Sequence, residues 1–370
     1  MNSAIDAVIV DTSAYEKEQF DFLGIYSSTV PSFLSLLEEM QLNLLSHPIL
    51  QEEIKKHILN SKIVQRVEEF PVTISRNKNI LSLIGISPET ITEKLKTLDL
   101  AQKLTSAFES VYQRALMLPY PDPKNIFDAY FSNRPPFSAA KNKKSEFPDA
   151  FVLEAIKKYL KGHPYSSIIA ISDDSDWADA LEGTDRVILV SSIDDAIKAI
   201  RKADNIMAIR EVDDILPIFR ASLAAIERDI ESEAMYESYD IPEYILEDII
   251  DIPYVECAGV SEDIVPLRIT NSSVLLKTMA LLKIDGSAVI LDEDRSVWDK
   301  ETGQYFIRAY SLVQFENAEA EVECEIKLIF SPEAPEQTVV VKKAQIVSHY
   351  NIEIDMSGAD VEINELYDAH

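Results

Sequence analysis

The fold of the first half of the chain follows from one stretch, Ala7-Val8-Ile9-Val10-Asp11-Thr12-Ser13. Four apolar residues run directly into an acidic one, a pattern typical of a strand that is buried on both faces of a parallel sheet. The carboxylate of Asp11 then lies at the carboxyl end of the strand, where open α/β sheets bind their ligands. The stretch therefore predicts a functional site at that end of the first strand.

Three further acids of the first half can reach the same place. Asp174 follows a second apolar run, Ile168–Ile171, while Glu53 and Asp149 lie on segments with helical character. Strands and helices alternate through this half, which favours a mainly parallel sheet covered by helices on both sides. We therefore expect the four carboxylates to converge at one edge of the sheet.

Converging carboxylates define the chemistry that the site can perform. They cannot all stay ionised unaided, because like charges raise their pKa values. A divalent cation removes the conflict, and a set of oxygen ligands suits Mg²⁺ or Mn²⁺. Such ions deliver a water-derived nucleophile to a phosphodiester and stabilise the leaving oxygen. The sequence contains no Gly-x-Ser-x-Gly motif and no glycine-rich phosphate loop, so the acids favour a metal-dependent hydrolase.

Four short motifs, in this order, resemble those of PIN-domain nucleases. They are Val-Asp-Thr-Ser at 10–13, Gln-Glu-Glu-Ile at 51–54, Glu-Phe-Pro-Asp-Ala-Phe at 146–151 and Ile-Ser-Asp-Asp-Ser-Asp-Trp at 171–177. The resemblance covers roughly residues 5–205. More narrowly, the sequence is similar to a PIN-like branch that has a long helical insert between the second and third acids. It implies a three-layer α/β/α domain that hydrolyses single-stranded RNA at internal sites with bound Mg²⁺ or Mn²⁺.

The resemblance also implies a role for each matching position. The implied catalytic acids are Asp11, Glu53, Asp149 and Asp174. The implied metal ligands are Asp11, Asp149, Asp174 and Asp176. Glu52 can take the role of Glu53 after a shift of one residue. Thr12 and Ser13 are implied substrate contacts, although the family often has Asn where Ser13 stands.

Every one of these acids also has a purely structural interpretation. Asp11 can end a strand or cap a helix, and Glu53 can be a solvated helix residue that pairs with Lys56 or His57. Asp149 can be an acid favoured in the first turn of a helix by the helix dipole. Asp174 and Asp176 can cap the next helix. The sequence alone leaves both interpretations open.

Charge is distributed unevenly along the chain, whose net charge is −29. Residues 51–161 carry 18 basic and 13 acidic side chains, whereas residues 162–370 carry 16 basic and 44 acidic ones. The basic region can attract a polyanion locally, and the acidic remainder limits unspecific binding. A cluster in a proline-rich loop supplies candidate phosphate contacts, although a solvated loop is the simpler interpretation. Its members are Lys141, Lys143 and Lys144.

The sequence predicts three parts: a PIN-like domain at 1–205, an acidic helical linker at 206–250 and a small antiparallel β-rich domain at 251–370. We expect a loop at 14–25, helices over Ser28–Leu45 and Ile49–Glu69, and a helix that begins after Ser87. The pattern also allows a short strand at Asn43–Leu45. In the C-terminal part the pattern predicts helices over Pro242–Asp251 and Ser272–Leu282, among strands. The predicted strands are Ile264–Thr270, Ala288–Leu291, Tyr305–Leu312, Ala320–Phe330, Val339–Val347 and Asn351–Ile354.

The location expected from the sequence is a reducing cytoplasm. Two cysteines, Cys257 and Cys324, cannot form a disulfide framework, and no apolar run approaches the roughly 20 residues of a membrane helix. A protein that cleaves RNA freely would harm its host, so we expect an inhibitory or regulatory protein partner, as in toxin or antiviral-defence settings. Two alternatives remain: a single-strand or structure-selective DNA nuclease, and an inactive PIN-like interaction protein. The sequence does not decide whether the protein forms oligomers.

Overall fold

The computed structural model describes residues 5–137, 146–184, 186–203, 208–246, 250–270, 272–299, 303–331, 339–347 and 351–366. The chain forms two compact units, Met1–Ile209 and Arg210–His370. The segment predicted as a linker, 206–250, falls mostly in the second unit. Within the described ranges, no helix combines the length and the apolar character that crossing a membrane requires.

The first unit is built on a parallel sheet. Its strands are β1 (Ile5–Val10), β2 (Asn43–Ser46), β3 (Leu116–Met117), β4 (Ser167–Ile171) and β5 (Val187–Val190). Its helices are α1 (Thr12–Lys17), α2 (Thr29–Glu39), α3 (Pro48–Leu59), α4 (Lys62–Arg76), α5 (Lys78–Leu83), α6 (Pro88–Thr97), α7 (Leu100–Tyr112), α8 (Pro123–Phe131), α9 (Phe147–Gly162), α10 (Ser175–Leu181) and α11 (Ile193–Ala203). The strand order is β3-β2-β1-β4-β5, and every pairing is parallel. The predicted α/β class is confirmed.

The two central strands explain why apolar runs mark the sheet. Residues 7–10 of β1 and all of β4 are buried, because helices cover both faces of the sheet. Val10 pairs with Ile171, so β1 and β4 end side by side. The backbone N–H of Asp11 donates to the carbonyl oxygen of Ile171 at 2.9 Å. The residues that follow both strands therefore emerge at the same edge.

Three element boundaries of the first unit differ from the prediction. The loop predicted at 14–25 begins as α1, because the Asp11 side chain caps that helix by accepting from the Ser13 N–H. The helix predicted from Ser28 to Leu45 ends at Glu39, where Gln41 adopts a φ of 55° and turns the chain into β2. The helix predicted over Ile49–Glu69 divides into α3 and α4. The predicted cap Ser87 is confirmed, since its Oγ accepts from the Thr90 N–H at 3.2 Å.

The second unit is an antiparallel β structure with one long helix packed into its core. Its elements are α12 (Ala208–Ala234), β6 (Tyr239–Asp240), β7 (Asp251–Val260), β8 (Val265–Thr270), β9 (Ser273–Leu291), β10 (Val297–Asp299), β11 (Gln304–Ile307), β12 (Tyr310–Ile329), β13 (Val340–Ile346), β14 (Ile352–Glu353) and β15 (Asp360–Leu366). The main sheet has the order β13-β12-β9-β7, with β15 added to β12 and β8 added to β9. Phe219, Ile226 and Ile230 of α12 are buried in the same core as this sheet.

Two predicted helices of the second unit are wrong. Residues Ser272–Leu282 lie almost wholly in β9, which pairs along its length with β12, from Leu276 opposite Ile326 to Leu282 opposite Ala320. The described residues of Pro242–Asp251 are also not helical. Pairing between distant segments overrode the local helical pattern in β9, as tertiary context commonly does.

The strand prediction was incomplete in the same region. β7 and β15 were not predicted, and the predicted strand Tyr305–Leu312 is divided between β11 and β12. Gly286 of β9 lies where the backbone is tightly enclosed, since a Cβ there would meet the Asp251 carbonyl oxygen and the Phe315 ring at 2.7 Å each.

Candidate active site

Asp11 is fixed at the carboxyl end of β1 by hydroxyl groups from two strand ends. Its side chain is only 6% exposed, and its Oδ2 accepts hydrogen bonds from Ser13 Oγ at 2.5 Å and from Ser172 Oγ at 2.9 Å. Ser172 directly follows β4. The first acid is therefore held in one orientation by a residue of α1, which follows β1, and by a residue that follows β4. Ser13 donates to the Asp11 carboxylate, and its predicted contact with substrate stays a prediction.

Ser172 also positions the acid that follows it. The N–H of Asp174 donates to Ser172 Oγ at 3.1 Å, and Asp174 Oδ1 accepts from the Asp176 N–H at 2.8 Å. Asp174 is thus the N-cap of α10, as its structural interpretation suggested, and also a neighbour of Asp11 through one shared hydroxyl. Sequence analysis assigned Ser172 no role, although it stands inside one of the four motifs.

Asp149 is close enough to the other three predicted catalytic acids for their charges to act on its pKa. It lies in the first turn of α9, and its Oδ1 accepts a hydrogen bond from Trp177 Nε1 at 3.2 Å. The pKa of Asp149 is raised to about 7, chiefly because the carboxylate is removed from water. The hydrogen bond from Trp177 lowers this pKa, and the charges of Asp11, Glu53 and Asp174 raise it. Because their charges influence one another, we describe Asp11, Glu53, Asp149 and Asp174 as one electrostatic cluster.

The structure distinguishes Glu53 from its neighbour Glu52. Burial raises the pKa of Glu53, and the charge of Asp11 raises it further. The Glu52 side chain is 77% exposed and lies 3.3 Å from the Lys55 ammonium. Only Glu53 of these two acids therefore belongs to the cluster.

Weaker cationic influences act on Glu53 from its own helix. His57 and Lys56 both lower its pKa, and the Thr12 hydroxyl lowers it slightly without reaching ordinary hydrogen-bond geometry. Thr12 is buried beside the cluster, so its predicted contact with substrate stays a prediction.

The structure describes the positions of some of the remaining predicted residues but not of others. Asp176 is buried in the first turn of α10, and its role as a metal ligand stays a prediction. The exposed carboxylate of Asp173 lies 2.9 Å from the Lys17 ammonium. The predicted phosphate contacts lie outside the described residues; they are Lys141, Lys143 and Lys144.

A hard divalent cation fits the donor set of this cluster. The acids offer only oxygen ligands, and their mutual repulsion is the condition that a cation relieves. Among the residues that the structure describes, no three carboxylate, imidazole or thiolate side chains already converge as a finished metal site.

Comparison with known proteins supports the same interpretation of the first unit. Residues 8–177 match a family model described as PIN domain. No curated protein and no solved structure matches the chain. The matched segment runs from β1 to α10 and contains all four clustered acids. Residues 8–177 of the chain are therefore a PIN domain, a nuclease fold whose members are generally metal-dependent nucleases.

Proposed function

We propose that the protein is a metal-dependent endoribonuclease that hydrolyses single-stranded RNA. The observation that carries the proposal is the coupling of Asp149 to Asp11, Glu53 and Asp174 within a PIN domain. Asp11, Asp149, Asp174 and Asp176 would hold Mg²⁺ or Mn²⁺. When bound, such an ion supplies Lewis-acid stabilisation of phosphate charge and lowers the pKa of a coordinated water.

The side chains of the cluster have separable tasks in this proposal. Ser13 and Ser172 hold Asp11 Oδ2 in a fixed direction, which preorganises the first acid. Trp177 holds Oδ1 of Asp149 and leaves the second carboxylate oxygen for a ligand. Glu53 has a raised pKa, so its carboxylate is suited to hold a proton until a cation offsets the negative charge of the cluster.

The choice of RNA rests on the resemblance, and the charge of the insert supports a nucleic-acid substrate of either kind. Residues 51–161 are net positive and contain Lys56 beside Glu53, so a polyanion is attracted near the acids. We assign Lys141, Lys143 and Lys144 to phosphate contacts on the same ground. Unregulated cleavage would be harmful, which supports a cytoplasmic toxin or antiviral-defence effector controlled by a protein partner.

A cleavage assay with matched substrates tests the proposal. End-labelled single-stranded RNA and DNA of one sequence are incubated with the protein in Mn²⁺, in Mg²⁺ or in chelator. We expect ion-dependent internal cleavage of the RNA, reduced about 100-fold or more in Asp11→Asn and Asp174→Asn. Asp179→Asn, at an exposed position of α10, is the control and should cleave normally.

Two other results of this assay would contradict the proposal. Faster cleavage of the DNA would replace the RNA substrate with the DNA alternative. Absence of cleavage of either polymer with every ion tested, in a folded protein, would contradict the nuclease and leave the inactive interaction protein.

A further inference from the structure

The second unit contains a strand with an open edge. β15 pairs with β12 over seven residues in regular register, from Asp360 opposite Glu316 to Leu366 opposite Tyr310. Within the described residues no other strand pairs with β15, so one row of its N–H and C=O groups has no strand beside it. Such an edge is a template for an added strand.

The side chains of β15 are exposed on both faces of the sheet. Because side chains alternate along a strand, Val361 and Ile363 share one face, and Asp360 and Glu362 share the other. Val361 is 41% exposed and Ile363 is 55% exposed. An added strand would therefore meet apolar surface on one side and carboxylates on the other.

A groove that crosses the face of the sheet as far as β15 is rich in acidic side chains. It has a volume of about 580 Å³ and is lined by carboxylates from four strands. They are Asp251, Asp285, Glu316, Asp360 and Glu362. No lysine, arginine or histidine of the described chain lines the groove. The field here attracts cations and repels nucleic acid.

Charge decides between the occupants that an open edge can accept. A second copy that pairs antiparallel about Val361 would place Asp360 opposite Glu362, and one that pairs about Ile363 would place the two Glu362 side chains diagonally across from each other. Both registers bring like charges together, which is unfavourable. Acids on an edge strand also protect against that association. A segment with alternating cationic and apolar residues suffers no such repulsion, because its cations point into the groove.

We propose that the outer edge of β15 is a docking site for an extended basic segment of a partner protein, which adds to the sheet as a further strand. Backbone hydrogen bonds supply the pairing, and the carboxylates of Asp360 and Glu362 on β15 itself select lysine or arginine at alternate positions. The acids of the inner strands add to the negative field at longer range. The site lies in the second unit and does not depend on the activity proposed for the PIN domain.

Peptide binding to the full-length protein tests this site. The probe is a labelled peptide of about nine residues that alternates lysine and valine, and the matched probe alternates glutamate and valine. We expect the basic peptide to bind and to slow hydrogen exchange of the amides of residues 360–366. The acidic peptide should not bind.

Charge variants separate the groove from the general acidity of the chain. The double variant Asp360→Lys/Glu362→Lys should weaken binding about tenfold or more. The control Glu233→Lys/Glu256→Lys makes the same change in charge at exposed positions outside the groove and should weaken binding less than about twofold. Equal losses in the two double variants would overturn the proposal.

A backbone test uses proline at two adjacent positions. Successive N–H groups of a strand point to opposite edges, so only one of Ile363→Pro and Asn364→Pro removes a donor from the open edge. The variant that keeps the wild-type melting temperature should lose peptide binding. Unchanged peptide binding in that variant would contradict the proposed site. So would slowed hydrogen exchange that is confined to other strands, or dimers in which the β15 amides are protected without peptide.

Discussion

Replacing Asp149 with asparagine is expected to stabilise the ion-free protein at neutral pH. The folded structure holds this carboxylate in a partly buried position near three other acids, which raises its pKa to about 7. Asparagine removes the charge and keeps an Oδ1 that accepts the hydrogen bond from Trp177. The change should therefore relieve repulsion without losing a contact.

The size of the effect follows from the pKa of Asp149. An aspartate whose pKa rises from 3.8 to about 7 on folding loses about 4 kcal/mol of stability once it is fully ionised. The side chain is partly exposed, so solvent screening reduces this figure to about 1–2 kcal/mol. For a unit of this size that corresponds to an increase in melting temperature of roughly 2–8 °C.

The effect should also depend on pH in one direction. The folded pKa lies above the unfolded one, so the native state binds the proton more tightly and wild-type stability falls as pH rises from about 4 to about 7. The difference between variant and wild type should open across that window and stay constant above it. Asparagine has no proton to lose there.

Thermal unfolding in chelator, followed from about pH 5 to pH 8, measures the difference. Asp179→Asn, at an exposed position of α10, serves as control and should match wild type. Mn²⁺ should then stabilise wild type more than Asp149→Asn, because a ligand stabilises the state that binds it. A variant less stable than wild type at pH 7, or a difference that does not change with pH, would refute the account of the cluster.

Three further changes test individual residues. Ser172→Ala should reduce RNA cleavage about tenfold by releasing Asp11 and Asp174, and Ser172→Thr should restore part of the rate in the same steady-state assay. Glu53→Gln should reduce cleavage about 100-fold, while Glu52→Gln should cleave like wild type; equal losses would contradict the assignment of Glu53. Gly286→Ala should destabilise the second unit by about 1–3 kcal/mol in urea unfolding, because its Cβ has no space, whereas Gly358→Ala, where nothing lies within 4 Å, should have little effect.

The central sheet could be predicted from sequence because its signal is local. Ala7–Val10 and Ile168–Ile171 are continuous apolar runs that end in acids, and burial on both faces requires such runs. The register that sets Val10 beside Ile171 then brings Asp11 and Ser172 to one edge. Position in the chain was therefore enough to locate the acids of these strand ends.

Other features depend on contacts that no local pattern contains. Glu52 and Glu53 are adjacent on α3, and only the packing of that helix decides which of them faces Asp11. Ser172 is a small polar residue whose role arises from a hydrogen bond to a side chain 161 positions away. Residues Ser273–Leu291 have helical spacing in part, yet pairing with β12 fixes them as a strand.

Calorimetric titration of the full-length protein with Mn²⁺ tests most directly whether the acids of the PIN domain gather around an ion. We expect a saturable site in wild type that is lost in Asp11→Asn and kept in Asp179→Asn, with both variants folded. Absence of a site in wild type, or a site that Asp11→Asn leaves unchanged, would contradict the account.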